Sequence, residues 1–200
     1  MYVFYKEWFW MSGSASELPS GEPTQPQSSR DYVPAATNEP QLITNWLTFL
    51  PDEFREISAI YQRPSGEVVM FVDDEFYMIN FPSLSLVSGY PKHISELGIG
   101  RGNTINAVVN TYTGKTFLFY NNNYYTEIDE CLMKAKNYGL ISKLFPGLPP
   151  SINSAFRYTN GNLYFFKDAL YYEFSEFNNT IIRAGKNRLS LFGIKCVGTY

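Results

Sequence analysis

Apolar residues in this chain fall in short clusters separated by turn-forming residues, the pattern of a strand-rich protein rather than of long amphipathic helices. The clusters recur. Ile57-Ser58-Ala59-Ile60, Ile105-Asn106-Ala107-Val108 and Ile152-Asn153-Ser154-Ala155 are spaced by 48 and 47 residues, and a glycine follows each at the same spacing, at Gly66, Gly114 and Gly161. Beyond the glycines come Phe71, Phe119 and Phe166, then the aromatic pairs Phe76-Tyr77, Tyr124-Tyr125 and Tyr171-Tyr172. The intervening Asp73-Asp74 and Asn121-Asn122-Asn123 tolerate the left-handed backbone of tight turns. Each unit therefore predicts a first strand followed by an aromatic hairpin.

The same hairpin opens the chain, where Phe4 precedes Phe9-Trp10. Phe4 lies 67 residues before Phe71, and the excess over the period falls in 12–38, which is rich in Ser, Pro, Glu and Thr. Such a stretch buries little apolar surface and is expected to be a disordered surface insertion. Each unit closes on a short pattern that predicts a helix, at 41–49, 92–97, 140–145 and 187–192. Pro40 and Pro91 suit first helical turns, and Gly98, Gly147 and Gly193 lie near the exits.

A repeat of this length built from strands predicts an all-β fold, a four-bladed β-propeller with a short helix ending each blade. The expected boundaries are 1–54 for a partial first blade lacking its innermost strand, then 55–102, 103–149 and 150–196, with a tail at 197–200. A sandwich with look-alike hairpins is the competing arrangement.

Composition agrees with a single strand-rich domain: 200 residues are 44% hydrophobic, with 16 Tyr, 16 Phe and 3 Trp, and aromatic rings suit pleated surfaces. The formal charge of −3 contains no long single-sign run, which argues against a nucleic-acid partner. No stretch approaches the roughly 20 apolar residues of a membrane helix. Residues 1–16 are aromatic-rich and end in small residues, yet Lys6 and Glu7 interrupt them, so no signal peptide is expected. The two cysteines, Cys131 and Cys196, allow at most one internal disulfide and match no metal or redox spacing. Asn178-Asn179-Thr180 makes Asn178 a glycosylation acceptor in a secreted chain.

Enzymatic chemistry finds no footing. Zinc proteolysis typically draws on several ligands, commonly His-Glu-x-x-His, and this chain has one histidine, His93. A serine or cysteine nucleophile most often needs a histidine base nearby. The acidic pairs Asp73-Asp74 and Asp129-Glu130 sit at turns or strand ends. His93, beside Pro91 and Lys92 at a helix start, reads as a solvated or capping residue.

The units resemble hemopexin-like repeats, above all those of matrix metalloproteinases, over nearly the whole chain apart from 12–38. The resemblance is carried by Tyr90-Pro91-Lys92-His93-Ile94, Phe145-Pro146-Gly147-Leu148-Pro149 and Leu191-Phe192-Gly193-Ile194-Lys195-Cys196. It implies that Cys196 is the ring-closing cysteine of the last blade, whose partner before the first blade lies outside this chain, so an N-terminally truncated piece is expected. It also implies a central channel in which backbone carbonyls hold calcium and other ions, matching here Ser58, Ile60, Asn106, Val108, Asn153 and Ala155. None of these is acidic, although hard cations favour negative charge nearby.

The implied function is a non-catalytic module, extracellular in the full-length protein, that binds matrix proteins such as collagen, tissue inhibitors of metalloproteinases, or a second copy as a homodimer. The zinc endopeptidase domain would precede it. Arg183, Lys186, Arg188 and Lys195 are candidate contacts, and exposed aromatics serve equally. The alternatives are a stand-alone adhesion protein of the vitronectin type and a heme carrier, the latter disfavoured by the lone histidine.

Overall fold

Short apolar runs punctuated by turn residues fold here into antiparallel meanders. The structure, a computed structural model, describes residues 2–5, 8–11, 41–51 and 53–186. A first sheet holds β1 (Tyr2–Tyr5), β2 (Trp8–Met11) and β3 (Gln41–Leu42). The second holds β4 (Ile57–Gln62), β5 (Val68–Val72), β6 (Glu75–Asn80) and β7 (Ser85–Leu86), with β8 (Lys92–His93) also paired to β6. In the third, β9 (Ile105–Asn110), β10 (Thr116–Tyr120), β11 (Tyr124–Asp129) and β12 (Lys134–Leu140) pair in sequence order. The fourth repeats this with β13 (Ser154–Arg157), β14 (Leu163–Lys167), β15 (Leu170–Ser175) and β16 (Thr180–Lys186). β4 packs beside β9 and β9 beside β13, so the first strands lie together and the sheets radiate from them as the blades of a four-bladed propeller.

The repeat glycines sit where the sequence predicts turns. Gly66, Gly114 and Gly161 have φ of 107°, 77° and 86°, a region that strains other residues, and their N–H groups donate to the carbonyls of Arg63, Thr111 and Tyr158. At the opposite end the hairpin tips use Asp73, Asn121, Asn122 and Asp168, all with left-handed φ between 46° and 66°.

The first sheet reproduces the second strand by strand. Phe4 pairs with Phe9 as Phe71 pairs with Phe76, and Phe9 pairs with Gln41 as Phe76 pairs with Lys92. Its three strands thus correspond to β5, β6 and β8, with no counterpart of β4 among the described residues. The insertion expected at 12–38 lies outside those residues.

The closing helices are shorter than the sequence predicts. Single 3-10 turns cover Ile43–Asn45 and Ile94–Leu97, and one helical turn, α1, covers Ile141–Leu144. Residues expected to start two of these helices pair as strands instead, Gln41–Leu42 on β2 and Lys92–His93 on β6. Pro91 accordingly precedes a strand rather than opening a helix. So short a segment gains more from ladder hydrogen bonds than from nucleating its own helix. The helix expected at 187–192, with Pro40 and Gly193, lies outside the described residues.

Apolar side chains fill three layers between blades. Val69, Phe71, Phe76 and Met78 pack with Ile105, Val108, Leu118 and Ile128 between the second and third blades. The opposite faces of β5 and β6 supply Met70, Val72, Tyr77 and Ile79, which meet Ile43, Leu47 and Leu50 after β3. Ala107, Val109, Phe117 and Phe119 face Leu163, Phe165 and Phe174 between the third and fourth blades, with Phe145 among them. Middle strands are therefore buried on both faces, which is why Val68–Val72 reads as a continuous apolar run. The outer strands β12 and β16 are largely exposed.

Candidate functional site

The polar residues at the strand starts have work inside their own blades. Asn106 Oδ1 accepts the N–H of Asn122 at 2.9 Å, and Asn153 Oδ1 accepts the N–H of Asp168 at 2.8 Å. Ser58 Oγ donates to the carbonyl of Phe71 at 3.3 Å. Each side chain thereby ties the first strand to the hairpin of its blade. Ile60 packs into the layer facing the first blade, Val108 into the layer between the second and third, and Ala155 against the layer between the third and fourth. No cluster of three or more His, Cys, Asp or Glu residues suited to a metal occurs among the described residues. What these six positions can offer a hard cation is main-chain carbonyl oxygen, a neutral donor set.

The other end of the blades, where first strands turn into second strands, is fastened by acidic residues. Arg63 Nε lies 3.1 Å from Glu130 Oε2, and Arg63 also donates to the Glu130 carbonyl, so the first turn of one blade is held by the outer turn of the next. Thr116 donates to the same carboxylate, and the Tyr61 hydroxyl approaches it at 3.5 Å. Burial, and then the Glu130 charge, raise the Tyr61 pKa above its ordinary value. One blade further on a glutamate again holds the first turn of the preceding blade, here without an ion pair: Glu176 Oε2 accepts the N–H of Tyr112 at 2.8 Å, while Arg157 Nη1 donates to the carbonyl of Thr111 at 3.3 Å. Asn110 Nδ2 completes the set on the carbonyl of Gln62 at 2.9 Å. An open cavity of about 330 Å³ lies among these turns, lined by Gln62, Arg63, Asn110, Tyr112 and Arg157. Tyr112 is 80% exposed, and at the same end Leu132 and Phe177 are 71% and 98% exposed.

Sequence reasoning missed these latches, although Glu130 and Glu176 occupy equivalent places in successive units. They connect different blades, and a within-unit reading does not display them.

Of the basic candidates, Arg183 is engaged: its Nε lies 3.7 Å from Oε2 of the buried Glu173, which also accepts from Asn160 and Asn162. Lys186 stands three residues further along β16, on the other side of the strand by alternation. Arg188, Lys195 and Cys196 lie outside the described residues. Cys131 is an exposed free thiol in the turn after β11, and Asn178 is exposed in the turn after β15. His93 Nδ1 accepts the N–H of Ser95 at 3.0 Å and its Nε2 lies 3.2 Å from Asp74 Oδ2, so the lone histidine caps its 3-10 turn. Asp129 accepts the N–H groups of Cys131 and Leu132, and the Leu132 bond above all holds its carboxyl below the ordinary value.

Comparison with known proteins agrees with this geometry. The hemopexin family profile matches residues 57–101 and 152–196. Matrix metalloproteinase-2 of Drosophila melanogaster is 26% identical over 185 residues, 88% of this chain and 21% of that protein. Matrix metalloproteinase-18 of Xenopus laevis is 30% identical over 138 residues, 68% of this chain and 29% of that protein. The chain thus spans less than a third of the length of either relative. Among solved structures, the hemopexin fold protein CP4 from cow pea superposes with a TM-score of 0.68 at 16% identity, covering 96% of this chain and 90% of that one. A plant lectin with two metal binding sites from Cicer arietinum gives 0.67 at 19%, covering 98% and 93%. At these identities the two plant structures establish the fold alone. Blade register, repeat profile and relatives converge: the chain is a hemopexin-like domain, a four-bladed propeller of the matrix metalloproteinase-like kind.

Proposed function

We propose that this domain is the exosite module of a secreted or pericellular matrix metalloproteinase-like endopeptidase. It holds matrix proteins such as collagen, tissue inhibitors of metalloproteinases or a second copy, while a separate zinc domain performs the cleavage. The observation that carries this reading is the display of large apolar side chains on fastened turns. Phe177 is 98% exposed, and the N–H of the next residue, Asn178, donates to Ser175 Oγ at 3.3 Å. Leu132 is 71% exposed, and its own N–H is held by Asp129. Apolar groups presented on an ordered scaffold suit protein contacts, since little side-chain or loop freedom remains to be lost on binding. The curated relatives named as matrix metalloproteinases favour the protease-linked module over a free-standing adhesion protein.

Binding of the folded chain to immobilised collagen and to a tissue inhibitor, followed by surface plasmon resonance, tests the proposal. Phe177→Ser and Leu132→Ser together are expected to weaken binding to one of them by about tenfold or more with an unchanged melting temperature. Equal binding by wild type and the double variant would overturn it. Secretion would also expose Asn178 to glycosylation, read as a mass shift reversed by a peptide N-glycosidase.

A further inference from the structure

The cavity at the turn end is lined by two arginines with different surroundings. Arg63 is matched by Glu130 at 3.1 Å and by Glu67 at 3.5 Å, so its charge is neutralised within the fold. Arg157 is exposed at the end of β13; its Nη1 donates to the carbonyl of Thr111, and no carboxylate lies within 4.0 Å of it among the described residues. A guanidinium has five N–H donors, and one carbonyl fixes its aim while leaving most of them for a ligand.

Beside it, Tyr112 offers an 80% exposed ring on a backbone that Glu176 holds at 2.8 Å. Asn110 Nδ2 on the remaining wall is committed to the carbonyl of Gln62, and its Oδ1 lies 3.2 Å from the Thr116 hydroxyl oxygen.

Charge complementarity selects the occupant. A guanidinium with no ion-pair partner among the described residues pairs with a single carboxylate, which it can meet through two parallel hydrogen bonds. A polyanion such as a sulfated glycan needs a row of cations, and the second arginine of this cavity is already neutralised. We infer that the cavity binds an acidic peptide segment of a partner protein, with one aspartate or glutamate carboxylate on Arg157 and a neighbouring apolar residue against the Tyr112 ring. This inference rests on the interaction-module reading and names the chemistry of one partner segment.

Fluorescence polarisation with the peptide fluorescein-Gly-Gly-Phe-Glu-Gly-Gly-amide and its glutamine counterpart tests it on the whole chain. The glutamate peptide is expected to bind at least about tenfold more tightly than the glutamine peptide, as for a charge-assisted pair. Arg157→Gln is expected to erase that preference, Arg157→Lys to retain part of it, and Tyr112→Ala to weaken both peptides by about threefold or more. Equal binding of the two peptides by wild type, no binding at about millimolar peptide, or a preference that survives in folded Arg157→Gln would each overturn the proposal. Collagen or inhibitor binding measured on the same wild-type protein keeps the outcomes apart: absence of the peptide preference with retained macromolecular binding removes this site alone.

Discussion

Arg63 shows how one side chain serves two blades. Its guanidinium leaves the first turn of the second blade and meets both the carboxylate and the carbonyl of Glu130 on the third, with side-chain exposures of only 13% and 17%. Arg63→Met would strand the Glu130 carboxylate with the Thr116 and Tyr61 hydroxyls as its remaining partners. The expected cost is about 2 kcal/mol, below that of a fully buried pair because water still reaches both groups, or a fall of about 4–8 °C in Tm by thermal melting. Two tyrosines add a pH dependence at the alkaline end. The Tyr77 hydroxyl is pushed up to about 12, first by burial and then by its hydrogen bond to Glu75; Tyr61 is also raised, first by burial and then by Glu130. Raised folded pKa values mean that the folded chain keeps protons which the unfolded chain releases from pH 10.0 upward. The stabilisation is therefore complete below pH 10.0 and disappears as pH rises through the folded values. Melts at increasing pH should show the stability of wild type relative to Tyr77→Phe declining between pH 10 and about 12. A constant difference across that window would show that the hydroxyl titrates normally.

Within the elements, a glycine on each of two outer strands makes room for a tyrosine. Gly139 on β12 pairs with Tyr125 and Gly185 on β16 pairs with Tyr171, so equivalent positions of two blades solve one packing problem in one way. A Cβ at Gly139 would come within 2.8 Å of Tyr125 Cε1, whereas one at Gly185 would meet Tyr171 Cε1 at 3.1 Å. Gly139→Ala is expected to cost about 1–3 kcal/mol and Gly185→Ala less, measured by urea unfolding, because the ring has further to move in the first case. Much at this scale was legible in the sequence. The turn glycines and the Asp and Asn tips declare themselves because few residues accept left-handed backbone, and Phe71, Phe119 and Phe166 keep register because each occupies the same ladder position. The closing helices were over-read: Lys92 and His93 carry no local sign that they pair across to Phe76 and Glu75, since that bond belongs to a strand distant in sequence. The latches escaped for the same reason. Glu130 is an ordinary acidic turn residue until Arg63, 67 residues earlier, is brought beside it.

For the whole molecule, a cation at the meeting place of the first strands would depend on the oxygens that the strand starts offer it. Of the side chains at the six matched positions, the amides of Asn106 and Asn153 carry the oxygens best suited to calcium, and both already accept backbone N–H groups from hairpin tips. Coordination would therefore fall to the main-chain carbonyls of Ser58, Ile60, Asn106, Val108, Asn153 and Ala155, without a carboxylate to offset the dehydration of a divalent ion. Affinity is expected in the weak range of extracellular calcium modules, about 10⁻⁴ M or weaker, so that calcium raises Tm only toward millimolar concentrations. The double variant Asn106→Asp and Asn153→Asp tests the cause. Aspartate retains an oxygen to accept the Asn122 and Asp168 N–H groups, so the hairpin tips stay tied, while two negative charges are added where the first strands begin. Calcium titration followed by thermal melting should then show saturation at least about tenfold lower than in wild type. Micromolar binding by wild type would mean that main-chain oxygens alone suffice. Unchanged weak binding by the variant would place the cation, if any is held, away from these strand starts.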